Sequence, residues 1–197
     1  MVTVLERNES TIIRDRSQFI GILVHVTNDK SVPDILKSIR NEYPKAKHYC
    51  YAYVIDGKKK CSDDGEPAKT AGRPLLELLE KKEMDEVLLV VVRYFGGVLL
   101  GASRLMSTYL ETGVEVIRTC DLVNIENKFI YHMELTYSEF DCLKRLIKQT
   151  SMFLENIVYG DTISLDILCD ENDGTLLTEW FPKSPIEVNG NKKVYRR

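Results

Sequence analysis

A chain of 197 residues, 44% hydrophobic and 29% charged, belongs to the soluble globular class and is long enough for one large or two small cores. Its net charge of −3 excludes the strongly basic footprint of a protein that coats nucleic acid, and its longest aliphatic run, six residues at 87–92, is far short of a membrane helix. The five cysteines, Cys50, Cys61, Cys120, Cys142 and Cys169, form no Cys-x-x-Cys pair, which excludes a disulfide framework or a four-cysteine zinc site; the start, Met1 to Arg7, lacks the order of a secretory leader. A cytosolic protein with free thiols, no cofactor, no metal and no membrane partner is expected.

Residues 2–26 predict strands, because 2–4, 11–13 and 19–24 are β-branched and apolar, with a turn at 8–10 between the first two. Pro33 sits in the first turn of a helix that buries Ile35, Leu36 and Ile39 and stops before Pro44. Residues 48–55 alternate as a strand, and Asp56-Gly57 is a hairpin signal returning the chain through Lys58 to Cys61. Tyr49, Tyr51 and Tyr53 share one face of that strand, either as a stacking platform for bases or as a half-buried face under a helix.

An acidic turn follows, Ser62-Asp63-Asp64-Gly65-Glu66-Pro67, then Lys69, Thr70, Gly72 and Arg73 before a helix carrying Leu75, Leu76, Leu78 and Leu79. The free amides at its start, near 70–73, are a candidate anion site. The run 87–92 is continuous rather than alternating, the pattern of a central strand covered on both faces. It ends in Arg93-Tyr94-Phe95-Gly96-Gly97, and from Ala102 the positions Leu105, Met106, Tyr109, Leu110, Val116 and Ile117 recur at helical spacing to residue 118, with small Gly113 on the same stripe. Ser103 is placed to cap that helix, with Arg104 in its first turn.

The polar stretch 121–127 reads as a boundary between a domain at 1–123 and a second at 128–197. In the second, strand 128–137, helix 138–149, strands 153–159 and 162–168, a helix around 175–181 and strand 186–195 follow one another. That β-α-β-β-α-β order is the ferredoxin-like signature, and no motif with catalytic spacing falls in this half.

Three constellations are candidates for chemistry. Gly96-x-x-x-x-Gly101-Ala102-Ser103 has the spacing of a phosphate-binding loop, but Ala102 stands where that motif needs lysine. Asp63, Asp64 and Glu66 offer oxygen ligands without calcium-loop spacing; placed beside Lys69, Arg73, Arg93 or Arg104 they instead form an ionic network fixing two loops against each other. His48 points the same way on its strand as Cys50, either as base and nucleophile or as two core side chains. Local basic residues, among them Lys45, Lys47, Lys58, Lys59 and Lys60, keep nucleic-acid contact open despite the overall charge.

Taken together, Tyr43-Pro44-Lys45-Ala46-Lys47-His48, the acidic turn 62–67, Thr70-Ala71-Gly72-x-Pro74 and Val90-Val91-Val92-Arg93-Tyr94-Phe95-Gly96-Gly97 resemble the IMPACT family, and the two-part layout is similar to its bacterial YigZ-like branch. The resemblance implies an α+β chain: an N-terminal α/β domain of the kind shared with a ribosomal protein and the GHMP kinases, and a C-terminal ferredoxin-like domain. Eukaryotic relatives regulate translation by binding the activator of an initiation-factor kinase. The expectation is therefore a non-catalytic, translation-associated protein that binds RNA, the ribosome or a protein partner. Its binding residues would be Asp63, Asp64, Glu66, Lys69, Thr70, Arg73, Arg93, Tyr94, Gly96, Gly97, Ser103 and Arg104. The alternatives are an enzyme acting on a small anionic or phosphorylated ligand and a docking module built on the C-terminal half. This sequence departs from the family after Ala102, moving a positive charge from position 107 to Arg104.

Overall fold

The computed structural model describes residues 1–196, which form two compact units, Met1–Asn124 and Ile125–Arg196. In the first, β1 (Val2–Val4), β2 (Asn8–Arg14), β3 (Ser17–His25), α1 (Val32–Glu42), β4 (His48–Ile55), β5 (Lys58–Ser62), α2 (Gly72–Lys81), β6 (Val87–Tyr94) and α3 (Ala102–Arg118) follow in order. Five strands make one sheet, β2-β3-β6-β4-β5, with every neighbouring pair antiparallel.

The central position of β6 follows from its composition. Residues 87–92 have no exposed surface, and successive side chains point to opposite faces. Leu88, Val90 and Val92 pack with Val32 and Ile39 of α1, whereas Val87, Leu89 and Val91 pack with Leu75 and Leu79 of α2 and Leu105, Tyr109 and Val116 of α3. A continuous apolar run is usual in parallel sheets; here an antiparallel sheet carries it because helices cover both faces. Each such side chain contributes roughly 1.5–3 kcal/mol by leaving water.

Two local expectations need correction and one open alternative is decided. Residues 8–10 are not a turn: Asn8 pairs with Leu23 as β2 begins, and the bend lies at 5–7. Tyr49 and Tyr53 are buried with the α1 cluster, so the tyrosine row is a packed face and not a base-stacking platform. On α3, Met106 and Leu110 are 43% and 40% exposed; Thr112 takes an inward position beside the expected Gly113, letting α3 approach α2 and β3 closely. Residues 122–127 lie within β7 (Leu122–Leu135), whose first residues pair with β1, and the division between the two units falls among them. Val123 and Ile125 point inward and the polar residues that suggested a boundary are the outward half of the alternation.

In the second unit the remaining elements are α4 (Tyr137–Leu146), β8 (Phe153–Tyr159), β9 (Ile163–Cys169), α5 (Gly174–Trp180) and β10 (Ile186–Arg196). The strand order is β10-β7-β9-β8, and Met133, Leu135, Phe140, Leu143, Leu165, Ile167 and Leu177 form its core. The α4 start is fixed by a reciprocal cap: Thr136 Oγ1 accepts from the Glu139 amide, and Glu139 accepts from the Thr136 amide. Phe140 and Leu143 are buried as the spacing predicts, and residues 147–149 continue as a 3₁₀ turn.

A side chain at Gly113 would meet Leu78 Cδ2 at 2.8 Å and Leu75 Cδ2 at 3.1 Å. Gly113→Val is expected to cost about 1–3 kcal/mol by forcing α3 from α2. An unchanged urea midpoint would contradict this packing.

Candidate functional site

The acidic turn is built from three carboxylates that face three different ways. Asp63 Oδ1 accepts from the Ala71 and Gly72 amides at 3.0 and 2.8 Å, and Oδ2 from the Lys69 amide at 2.9 Å. The anion expected at residues 70–73 is therefore the chain's own Asp63, which neutralises the start of α2. Lys69 reaches this geometry at φ +64°, and Thr70 Oγ1 closes the turn by donating to the Pro67 carbonyl at 2.7 Å. Asp64 accepts from the Tyr49 amide at 2.7 Å and from Arg40 at 2.8 Å, while its carbonyl accepts from His48 Nδ1 at 2.8 Å. A carbonyl only accepts, so the Nδ1 proton of His48 is assigned by this bond.

Glu66 points inward. Its Oε1 accepts from Arg93 Nη1 at 2.6 Å and from the Tyr109 hydroxyl at 2.8 Å; the side chains of Glu66 and Arg93 are 4% and 6% exposed. His48 Nε2 lies 3.7 Å from Glu66 Oε2. The Arg93 guanidinium carbon stands 5.2 Å from the Phe19 ring centre and 5.5 Å from that of Phe95, a cation facing two aromatic surfaces. Of the four basic partners proposed for an ionic network, Arg93 alone ties the two loops. Arg73 pairs with Glu77 one turn along α2, Arg104 pairs with Asp15 at 2.9 Å, and the Lys69 side chain is exposed.

Cys50 lies under this pair, where its thiol donates to the Asp63 carbonyl at 3.0 Å and sits 3.3 Å from the Tyr109 hydroxyl. Burial pushes both the thiol and the phenol well above their ordinary ranges. The His48 ring turns to Asp64 and Glu66, not to Cys50, so the nucleophile–base pairing considered for these residues is not formed.

The second loop, 94–101, packs on the β2–β3 turn. The Gly96 amide donates to Ser17 Oγ at 3.1 Å, and a Cβ at Gly96 would fall 2.1 Å from the Arg16 carbonyl carbon, so only glycine fits. Tyr94 donates to the Pro44 carbonyl at 3.2 Å. Gly97 and Gly101 have φ +82° and +75°, the latter serving as the N-cap of α3. Ser103 is not the cap: it is exposed, one residue inside a helix whose start carries no side-chain cap.

Loops 62–73 and 93–104 thus face each other across a groove of about 360 Å³. Its floor holds Glu66, Arg93 and His48; its walls are Pro67, Phe95, Leu99, Leu100 and Leu105, with Lys47, Gly101 and Ala102 also lining it. Phe95 is 46% and Leu99 87% exposed. Of the twelve predicted site residues, only Glu66 and Arg93 line the groove; the others hold the two loops or lie on exposed helix turns. His48, Pro67, Phe95, Leu99, Leu100 and Tyr109 were not among them. Tyr109 carried only a core signal, and nothing local told Leu99 from an ordinary core leucine.

In the second unit, strand pairing assembles a chain that linear spacing did not reveal. His132 Nδ1 lies 2.8 Å from Asp166, Ser164 Oγ lies 3.3 Å from His132 Nε2, and Asn156 donates to Asp166 at 2.8 Å. Asn156, and then His132, hold the Asp166 carboxyl below its usual range. These cross-strand bonds join β7, β8 and β9.

Two outcomes follow. Asp63→Asn exchanges an acceptor for a donor against backbone amides and is expected to cost about 1–3 kcal/mol in urea unfolding. Cys50 is expected to resist alkylation in the folded protein at neutral pH and to react once unfolded, as read by mass spectrometry; rapid native labelling would contradict its burial.

Residues 15–117, which contain both loops, match the family model of the Impact N-terminal domain. The IMPACT family member YvyE of Bacillus subtilis is 31% identical over 182 residues, 91% of this chain and 84% of that protein. An IMPACT family member of Haemophilus influenzae is 38% identical over 172 residues, covering 84% of this chain and 72% of that one. A solved structure described as a hypothetical protein shares the fold at a TM-score of 0.64, with 25% identity over 94% of this chain and 95% of that chain. With the family model spanning more than half of the sequence and relatives matched over 84% and 72% of their length, this chain belongs to the IMPACT family.

Proposed function

We propose that this protein is a non-catalytic, cytoplasmic regulator of translation that binds its partner through the groove between loops 62–73 and 93–104. The reading takes the N-terminal unit as the fold shared with a ribosomal protein and the GHMP kinases. It takes the second unit as ferredoxin-like, which its β10-β7-β9-β8 order supports. Translation enters from the family resemblance, an associational argument. The observation that carries the binding site is the character of the groove: Arg93 is neutralised by Glu66, and the exposed surface around them is apolar. Among RNA, ribosome and protein, this favours a polypeptide surface over a phosphate backbone, and among the described residues no helix is long and apolar enough to cross a membrane.

A second reading, an enzyme acting on a small anionic or phosphorylated ligand, draws on the groove volume beside the α3 start. Turnover of phosphoesters, nucleotides or dipeptides that disappears in Arg93→Lys, a residue lining the groove, would support it. The binding reading expects co-sedimentation with purified ribosomes to fall about tenfold in Leu99→Ser, with a shallow dependence on salt, and to survive in Arg104→Ala. Ribosome binding unaffected by Leu99→Ser, or absent altogether, would overturn it; a steep salt slope sensitive to Arg104 would assign the contact to RNA phosphate instead.

A further inference from the structure

Two features of the groove have no partner among the described residues. Arg93 uses only Nη1 toward Glu66, and its buried Nε has no hydrogen-bond partner among the described residues. Nε and Nη2 share the opposite edge of the guanidinium, the edge that takes a carboxylate or phosphate with two parallel bonds. Independently, α3 starts at the groove, where Gly101 and Ala102 line it, with no side chain capping its first-turn amides. An uncapped helix start carries about half a positive charge and several free donors. The contrast with α2, whose first amides are satisfied by Asp63, shows what is missing at α3.

The sign and size of the missing charge narrow the ligand. Glu66 already balances Arg93, leaving the helix start and the exposed Lys47 at the rim, a field suited to a monoanion and not to a phosphate dianion. The walls beside it, Leu100, Leu105 and Phe95, suit one apolar side chain. Beyond them Val98, 43% exposed, and Leu99 extend the apolar surface farther than a single residue covers.

The geometry points to the carboxylate end of a polypeptide chain as the occupant, its terminal carboxylate held between the α3 start and the free Arg93 edge and its last, apolar side chain against Leu100 and Leu105. Of the two rings facing the guanidinium, Phe19 is buried and Phe95 is 46% exposed, so Phe95 is the ring that would move aside to admit the ligand to Nε. This deepens, and rests on, the reading of the groove as a partner-binding surface.

The test uses the full chain and a short fluorescein-labelled peptide ending in alanyl-leucine, prepared as the free acid and as the terminal amide, with anisotropy as the readout. The acid is expected to bind about tenfold or more tightly than the amide. Ala102→Asp puts a carboxylate in the first turn of α3, where it favours the helix and repels the ligand; it should lose about tenfold in affinity with no fall in the thermal midpoint. Arg93→Lys keeps a charge for Glu66 but lacks the second edge, and should lose a similar factor. Equal binding of acid and amide, or full affinity in Ala102→Asp, overturns the proposal. N-acetyl-leucine competing as tightly as the peptide would overturn the chain-end assignment in favour of a free small acid. If neither peptide binds while Leu99→Ser still abolishes ribosome binding, the chain-end proposal falls and the docking reading stands.

Discussion

The buried pair of Glu66 and Arg93 is the constraint on which the N-terminal unit depends. Glu66 belongs to the turn before α2, Arg93 to the end of the central strand, and Tyr109, which shares the Glu66 oxygen, to α3. One carboxylate therefore joins three elements far apart in sequence. Removing either charge would leave the other buried and uncompensated, a cost on the order of 3–5 kcal/mol, so neither residue is free to vary alone. The aromatic rings of Phe19 and Phe95 complete the enclosure of the guanidinium.

That pair explains why a turn dense in charge does not present a charged surface. Asp63 faces the α2 amides, Asp64 faces the β4 backbone and Arg40, and Glu66 faces Arg93. What remains toward solvent is the apolar loop after Gly97 and the start of α3. The chemistry of the groove is thus set by what the acids leave uncovered: a leucine almost wholly exposed and, among the described residues, a helix start without a side-chain cap and one unpartnered nitrogen of a buried arginine.

The second unit is held differently. Its helix start is closed by a local cap between Thr136 and Glu139, and its polar chain of Ser164, His132, Asp166 and Asn156 runs across the strands. Its buried cation is Lys128, 3% exposed at the side chain, which pairs outward with Glu126 and Asp170 instead of joining three elements in the core.

Much of the architecture was legible along the chain because it rests on short-range periodicity. The continuous run at 87–92 announced a strand covered on both faces, Asp56-Gly57 announced its hairpin, and the spacing from Leu105 to Ile117 announced α3. The same local reasoning failed at 8–10, where strand β2 begins instead of a turn, and at Met106 and Leu110, which stay about two-fifths exposed while Thr112 takes an inward position. The site was less legible. Sequence alone identified two loops rich in charge and glycine, but a charged side chain chooses its partner only when distant segments meet. Only the tertiary structure decided that Asp63 is a cap, that Arg93 belongs to Glu66, and that Leu99 stays outside, because each of these depends on through-space approach and burial that no local spacing encodes.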